Sequence, residues 1–323
     1  MIRQSITALL LALVMTACGP AGAEEATEVK PGESAAYTAD TRIKDVAADP
    51  LFGDWGRLIF PVNESYYSGE TLKDLSLTWY RNIDPNATVE IANYFREHAR
   101  NGETVFYDIY TAEEKAADPA KENTGLFFFK GTPGERFAIC NAGGGFAYVG
   151  AMHDSFPHAL TLSKQGYNAF ALIYRPGAQT ACEDLARAIT FIFNHANELE
   201  VNTDRYSLWG GSAGARMAAW LGTYGPAAFG GDDLPRPGTV VMQYTGLNEY
   251  SPDDPPTYVC VGTNDGIASW QLMKRRLDAM SAAGIDTEFH AYEGLGHGFG
   301  LGTGTVAEGW ISDAIQFWEN HME

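Results

Sequence analysis

The feature that most constrains this chain's fold is an alternation, from about residue 104 onward, of short apolar runs with amphipathic stretches. The apolar runs predict strands over residues 104–110, 125–130, 136–141, 167–174, 205–209, 239–244, 257–261 and 287–292. The amphipathic stretches predict helices over residues 156–164, 181–199, 213–221, 267–283 and 305–321, with an earlier helix over 85–100. Apolar strands that alternate with helices indicate an α/β fold, a doubly wound and mostly parallel eight-stranded sheet with helices on both faces.

The charge of the chain excludes some classes of partner. The 323 residues carry 41 acidic and 22 basic side chains, which gives a formal net charge of −19. An acidic surface of this size repels polyanions, so we expect no nucleic-acid partner and no attraction to an anionic membrane surface. The charge does not disfavour a neutral small molecule or carbohydrate.

The first 50 residues are predicted to form a targeting signal followed by a flexible tether. Residues 1–23 contain one base, a short apolar run and then small residues, the order of a secretory signal peptide. Two cleavage sites compete: a lipobox-like stretch ending at Cys18, which would be lipidated, and an A-x-A site over residues 21–23. We therefore predict an exported protein. It is either a periplasmic or cell-envelope lipoprotein, with the lipid anchor at Cys18 as its one membrane contact, or a secreted protein.

The rest of the chain is predicted as a tether over residues 24–50 and a single domain over residues 51–323 with an N-terminal extension. The tether is polar and has no sustained period. The motifs described below lie on strands of one sheet, so no domain boundary is expected among them. Residues 51–100 and the segments 152–158 and 226–237 would build the walls of a cleft.

The strongest motif lies where the predicted strand 205–209 runs into the helix that starts at Ala213. The sequence Gly210-Gly-Ser212-Ala-Gly214 is a G-x-S-x-G turn between strand and helix. Such a turn strains the serine backbone, and glycine two residues before and after it lets strand and helix approach closely. The alternative is a plain helix N-cap serine. The context favours Ser212 as a nucleophile exposed at the carboxyl edge of the sheet.

From this motif onward the chain resembles the α/β-hydrolase family of serine esterases, over residues 104–321. The resemblance implies an oxyanion loop after the third predicted strand, where the family has HGGG and this chain has Asn141-Ala142-Gly-Gly-Gly-Phe146. The implied oxyanion donors are the N–H groups of Gly144, Gly145 and Ala213. Ala142 departs from the family's usual histidine. The glycine spacing matches neither a dinucleotide loop nor a P-loop.

The family order of nucleophile, acid and base selects the two remaining catalytic candidates. His297 follows the last predicted strand and has glycines around it, so we predict it as the general base. Asp265 follows the strand before, so we predict it as the acid that orients the imidazole. Asp253 and Asp254 are alternatives at the wrong end of that strand, and Glu293 is a rival near the histidine.

Three further residues are predicted to contact substrate on position alone: Phe146, Tyr148 and His153. No metal-binding motif is present, and the predicted chemistry needs no cofactor. The resemblance implies an exported serine carboxylesterase that forms an acyl-enzyme from short-chain or acetylated carbohydrate esters. A serine peptidase or an acyltransferase on the same fold stays open, as does a noncatalytic binding module.

Overall fold

The computed structural model describes residues 36–80 and 82–323, and Tyr37–Glu323 form one compact unit. The predicted signal peptide with Cys18, and the tether as far as residue 35, lie outside the described residues. Export and lipidation therefore stay predictions. Among the described residues no helix combines the length and the apolar character needed to span a bilayer.

The core of the fold is an eight-stranded sheet. The strands of the chain are β1 (Tyr67–Ser68), β2 (Ser76–Leu77), β3 (Phe106–Tyr107), β4 (Gly125–Phe129), β5 (Arg136–Asn141), β6 (Asn168–Ile173), β7 (Asn202–Gly211), β8 (Thr239–Gln243), β9 (Thr257–Gly262) and β10 (Thr287–Tyr292). The eight strands of the sheet lie in the order β10-β9-β8-β7-β5-β6-β4-β3. Strand β4 pairs antiparallel with both β3 and β6, and the neighbours from β6 to β10 pair parallel. The predicted doubly wound, mostly parallel eight-stranded sheet is confirmed.

Helices connect the strands and pack around the sheet. They are α1 (Ile43–Ala47), α2 (Pro85–Arg100), α3 (Ala112–Ala117), α4 (Ala151–Asp154), α5 (Phe156–Lys164), α6 (Ala178–Asn194), α7 (Ala196–Leu199), α8 (Ala213–Tyr224), α9 (Trp270–Ala282) and α10 (Trp310–Glu319). Helix α2 begins where predicted because Asp84 caps the N–H of Asn86 and Pro85 occupies the first turn. Phe95 of α2 packs between β4 and α5, against Phe127 and Phe156.

The predicted tether is too long. Residues 43–47 form α1, in which Ile43 and Val46 are buried in the common core. Two apolar residues three positions apart place one helical turn against the core, but they are too few to give a period in the sequence. The short antiparallel pair of β1 and β2 follows, and the chain then enters the site with Trp79 and Tyr80.

Several predicted element ends differ from the structure for local reasons. The first predicted strand, 104–110, keeps only Phe106–Tyr107, because this edge strand pairs with β4 over two residues. The last helix starts at Trp310 and not near residue 305, since Gly302, Gly304 and Gly309 before it have positive φ. The carboxyl ends of β5, β7, β9 and β10 are not affected by these differences, and they lie together at one edge of the sheet.

Candidate active site

Ser212 lies in a strained turn between β7 and α8, with φ 52° and ψ −115°. The glycines around it are required by close backbone contacts. A Cβ atom on Gly210 would lie 2.3 Å from the carbonyl carbon of Gly214, and one on Gly214 would lie 1.9 Å from the carbonyl oxygen of Asn141. The steric reason predicted for the two glycines is therefore present, and helix α8 begins directly behind the serine.

His297 and Asp265 lie in a hydrogen-bonded chain with this serine. The Nε2 of His297 is 3.1 Å from Ser212 Oγ, and its Nδ1 is 2.8 Å from an oxygen of Asp265. The other carboxylate oxygen of Asp265 accepts the N–H groups of Ile267 and Ala268, at 2.8 and 2.7 Å. Because the carboxylate accepts from Nδ1, the neutral imidazole has Nε2 free to accept the serine hydroxyl proton.

The rival acids make other contacts. Asp254 is buried and pairs with Arg276 at 2.7 Å. Asp253 is exposed beside Arg236, and Glu293 is exposed. Asp265 is the one carboxylate, among the described residues, within ion-pair distance of His297.

The loop after β5 presents backbone donors beside the serine. Gly144 and Gly145 have φ values of 130° and 62°, which favour glycine. Among the described residues no acceptor meets the N–H groups of Gly144, Gly145 or Ala213, the three predicted oxyanion donors. The N–H of Gly143 is already donated to Asp154 at 2.8 Å. The loop can therefore offer two amides and the elbow a third to a developing negative charge.

The loop stays ordered although Ala142 stands in the usual histidine position. Tyr174 donates its hydroxyl to the carbonyl of Ala142 at 2.7 Å, and the N–H of Gly150 donates to the carbonyl of Gly143 at 2.9 Å. Burial raises the pKa of the Tyr174 hydroxyl far above its ordinary value, which keeps it a donor.

The three residues predicted to contact substrate differ in their surroundings. Phe146 is partly exposed and stacks on Trp220 with ring centroids 6.2 Å apart. Tyr148 is buried, and its hydroxyl donates to the carbonyl of Thr78. His153 is also buried, with Nε2 2.8 Å from the carbonyl of Gly298. The Tyr148 hydroxyl and the Nε2 of His153 are thus engaged within the protein.

Sequence reasoning missed four residues that the fold brings to the site. Asp154 accepts hydroxyl hydrogen bonds from Tyr80 and Tyr244, which lie 74 and 90 positions away in the chain. Trp79 lies over Gly145, with its ring carbon Cζ3 2.9 Å from where a Cβ of that glycine would be. Asp154 falls in the segment 152–158, and Trp79 and Tyr80 in the range 51–100, that the sequence placed at the cleft. No sequence signal singles out these three residues within those segments, and none places Tyr244 beside them.

A cavity of about 410 Å³ adjoins His297. Its walls come from residues 82–87, from the segment 295–305 after β10, and from Met152, His153 and Pro157. The N-terminal extension thus helps to enclose space beside the candidate base. No group of three or more His, Cys, Asp or Glu side chains within residues 36–80 and 82–323 is arranged to hold a metal ion.

His158, buried below the site, gives a testable pH effect on stability. Burial lowers the pKa of its imidazole from 6.5 to about 4, with His153 acting in the same direction and Asp154 opposing it. Between these values the unfolded chain binds a proton that the folded protein does not, so stability falls as pH falls. Between pH 7 and pH 5, the free energy of unfolding measured in urea should fall by about 2 kcal/mol less in His158→Gln than in the wild type. Parallel pH curves for the two proteins would contradict this.

The comparisons with known proteins agree with this architecture. Residues 134–234 match the BD-FAE family model. An acetyl ester-xyloside bifunctional hydrolase from Caldicellulosiruptor lactoaceticus shares 21% identity with a TM-score of 0.56, covering 67% of this chain and 95% of its own. A thermophilic esterase from Thermogutta terrifontis, in a propionate-bound structure, shares 19% identity with a TM-score of 0.55, covering 67% and 93%. A sugar hydrolase from Lactococcus lactis shares 20% identity with a TM-score of 0.52, covering 61% and 94%.

A search of curated proteins found no match. The structural similarities show that the chain has the α/β-hydrolase fold, and the resemblance predicted from the sequence is confirmed. At these identities the fold is what is shared. The activity has to be argued from the site.

Proposed function

We propose that this protein is a serine hydrolase that cleaves carboxylic esters through an acyl-enzyme on Ser212. The observation that carries the proposal is the hydrogen-bonded chain from Asp265 through His297 to a strained serine. A plain N-cap serine would need neither the strain nor a histidine oriented by a buried carboxylate.

The acylation step follows from this geometry. Ser212 Oγ attacks the ester carbonyl carbon while His297 Nε2 takes the hydroxyl proton. The carbonyl oxygen becomes an oxyanion, which the N–H groups of Gly144, Gly145 and Ala213 stabilise. The carbon–oxygen bond to the alcohol then breaks, and the imidazolium returns its proton to the departing alkoxide.

Deacylation uses the same groups with water in place of serine. Water attacks the acyl carbonyl as His297 accepts its proton, and the oxyanion forms again at the same amides. The bond to Ser212 breaks, the serine recovers its proton from the imidazolium, and the carboxylic acid leaves. Asp265 stabilises the imidazolium that forms in both steps.

The substrate we propose is a neutral ester with a short acyl group, such as an acetylated carbohydrate. The protein is strongly acidic, so a neutral ester meets no general repulsion. One structural neighbour is described as an acetyl ester-xyloside hydrolase and another was solved with propionate bound. Both descriptions are consistent with a small acyl group.

Trp79 is the residue through which the alcohol side of the substrate can be tested. It is 53% exposed, has a positive φ of 72° and stacks on Tyr148 beside Gly145. A substrate carbonyl held at Gly145 would place a sugar ring near the open indole face. We expect Trp79→Ala to lower kcat/KM for an acetylated xyloside about 3- to 10-fold. The kcat/KM for ethyl acetate should stay unchanged.

The matched control is Tyr224→Ala, since Tyr224 is an exposed aromatic at the far end of α8. This substitution should leave kcat/KM for both substrates unchanged. Equal losses on both substrates in Trp79→Ala would show that Trp79 supports the oxyanion loop and does not select the substrate.

The function itself is tested with a panel of esters and amides on the wild-type protein. We expect hydrolysis of p-nitrophenyl acetate, slower turnover of longer acyl chains and no turnover of anilides. Anilide cleavage would favour a peptidase, and acyl transfer to an added alcohol in preference to water would favour a transferase. A protein inert towards all esters would overturn the proposal and favour a binding module.

A further inference from the structure

Asp154, at the end of α4, is a buried carboxylate directly beneath the candidate oxyanion loop. It is 1% exposed, and no lysine or arginine of the described residues forms an ion pair with it. Its oxygens accept three hydrogen bonds, from Gly143 N–H at 2.8 Å, from Tyr80 at 3.1 Å and from Tyr244. A buried charge is costly unless hydrogen bonds satisfy it, so these donors hold the carboxylate in place.

The first of these bonds fixes the start of the oxyanion loop. With its N–H on Asp154, Gly143 turns inward, and its carbonyl accepts from Gly150 at 2.9 Å. A Cβ on Gly143 would lie 2.0 Å from the Tyr80 hydroxyl and 2.9 Å from the Ser212 Cβ. Since one peptide plane limits the directions of the next, this anchor determines where the N–H groups of Gly144 and Gly145 point.

The carboxylate of Asp154 also lies against the nucleophile turn. Its two tyrosine partners, Tyr80 and Tyr244, lie against the loop that carries His297. A Cβ on Gly211 would lie 2.3 Å from a carboxylate oxygen of Asp154. The ring of Tyr244 lies edge-on to the His297 imidazole at 4.9 Å between centroids. Tyr80 lies beside Gly298, where a Cβ would be 2.6 Å from its ring. Asp154 therefore contacts the oxyanion loop and the nucleophile turn directly, and the loop of the base through the rings of Tyr80 and Tyr244.

We propose that Asp154 is a positioning residue that aims the Gly144 and Gly145 amides at the oxyanion through its hydrogen bond to Gly143. The inference rests on the proposed esterase function. Burial and the negative charge of Asp154 raise the pKa values of the Tyr80 and Tyr244 hydroxyls well above their ordinary value, so both remain donors to the carboxylate. Ala142 offers no side chain long enough to replace this anchor.

The test is Asp154→Asn, which keeps the shape and replaces one acceptor oxygen by an amide donor. The amide has one acceptor oxygen in place of two and carries no charge, so the Gly143 N–H either loses its acceptor or keeps a neutral, weaker one. Removing a single oxyanion donor costs about 10²–10³ in kcat, and we expect a misaimed donor to cost about 10- to 100-fold. KM should change less than about 3-fold, because the ester ground state needs the donors less than the oxyanion does.

A short trifluoromethyl ketone separates positioning from general loss of structure, because Ser212 would add to it and leave an oxyanion. The affinity of Asp154→Asn for this ketone should fall by the same factor as kcat. Tyr244→Phe, which removes one anchoring donor, should move both values in the same direction by about 3- to 10-fold, and it serves if Asp154→Asn does not fold. Unchanged kcat and ketone affinity per folded molecule in the variants would overturn the proposal.

Asp254→Asn is the matched control. This carboxylate is also buried, but it binds Arg276 and Thr223 at the opposite end of β9. The substitution should lower stability and leave kcat and ketone affinity per folded molecule unchanged. A wild-type protein that neither hydrolyses esters nor binds the ketone would instead refute the function itself, which distinguishes the two failures.

Discussion

Ser212→Ala should reduce kcat for p-nitrophenyl acetate by roughly 10⁴- to 10⁶-fold while the protein stays folded. In the proposed mechanism this hydroxyl forms the acyl-enzyme, and among the described residues it is the one hydroxyl within hydrogen-bond distance of His297. Alanine keeps the Cβ that the turn already accommodates, so the backbone at φ 52° keeps its neighbours. Steady-state hydrolysis and a thermal unfolding curve together give the measurement.

Ser207→Ala is the control for this change. Ser207 lies five positions earlier on β7, buried, with its Oγ 2.7 Å from the Thr239 hydroxyl. Losing that bond should cost about 1 kcal/mol of stability and leave kcat unchanged. Ester hydrolysis that persists in Ser212→Ala at a tenth of the wild-type rate would disprove the assigned nucleophile.

Asp265→Asn should lower kcat about 10⁴-fold, with little change in KM. The carboxylate accepts the Nδ1 proton of His297 at 2.8 Å, and two backbone amides hold its other oxygen. An asparagine held by those amides through its oxygen would turn its NH₂ group toward the imidazole. The ring would then carry its proton on Nε2 and could no longer accept one from Ser212.

Asp286→Asn supplies the comparison, because Asp286 contacts His321 at 3.3 Å in a second, more exposed aspartate–histidine pair. This variant should keep the wild-type kcat. A loss in Asp265→Asn no larger than the loss in Asp286→Asn would mean that His297 does not depend on this carboxylate for its orientation.

The three candidate catalytic residues were predictable because each carries a local signal. Gly210 is required by backbone contacts within the strand–turn–helix unit, and Gly214 by the close approach of Asn141 at the end of β5. Both glycines lie two residues from Ser212, so the sequence around the serine records the turn. Asp265 and His297 each follow a strand whose apolar pattern is readable. Since carboxyl ends of parallel strands meet at one edge, chain order alone predicts that these side chains lie together.

The supporting groups were not predictable, because they depend on distant contacts. Tyr80 comes from the N-terminal extension, where no period is visible, and reaches Asp154 across 74 positions. The burial of Asp154 arises only when α4, the oxyanion loop and the elbow pack together. The sequence predicts a tether where α1 forms for the same reason, because Ile43 and Val46 are recognisable as core residues only once the rest of the core surrounds them.

The sequence by itself therefore predicted the sheet, the order of the loops that follow its strands, and the candidate serine, acid and base. Strand and helix periods, and the pattern of glycines around the serine, are each visible over a few residues. Only the tertiary structure decided which groups lie against the candidate oxyanion amides and the candidate base. Those contacts join Tyr80, Asp154 and Tyr244 from three separate segments, and burial strengthens the hydrogen bonds between them.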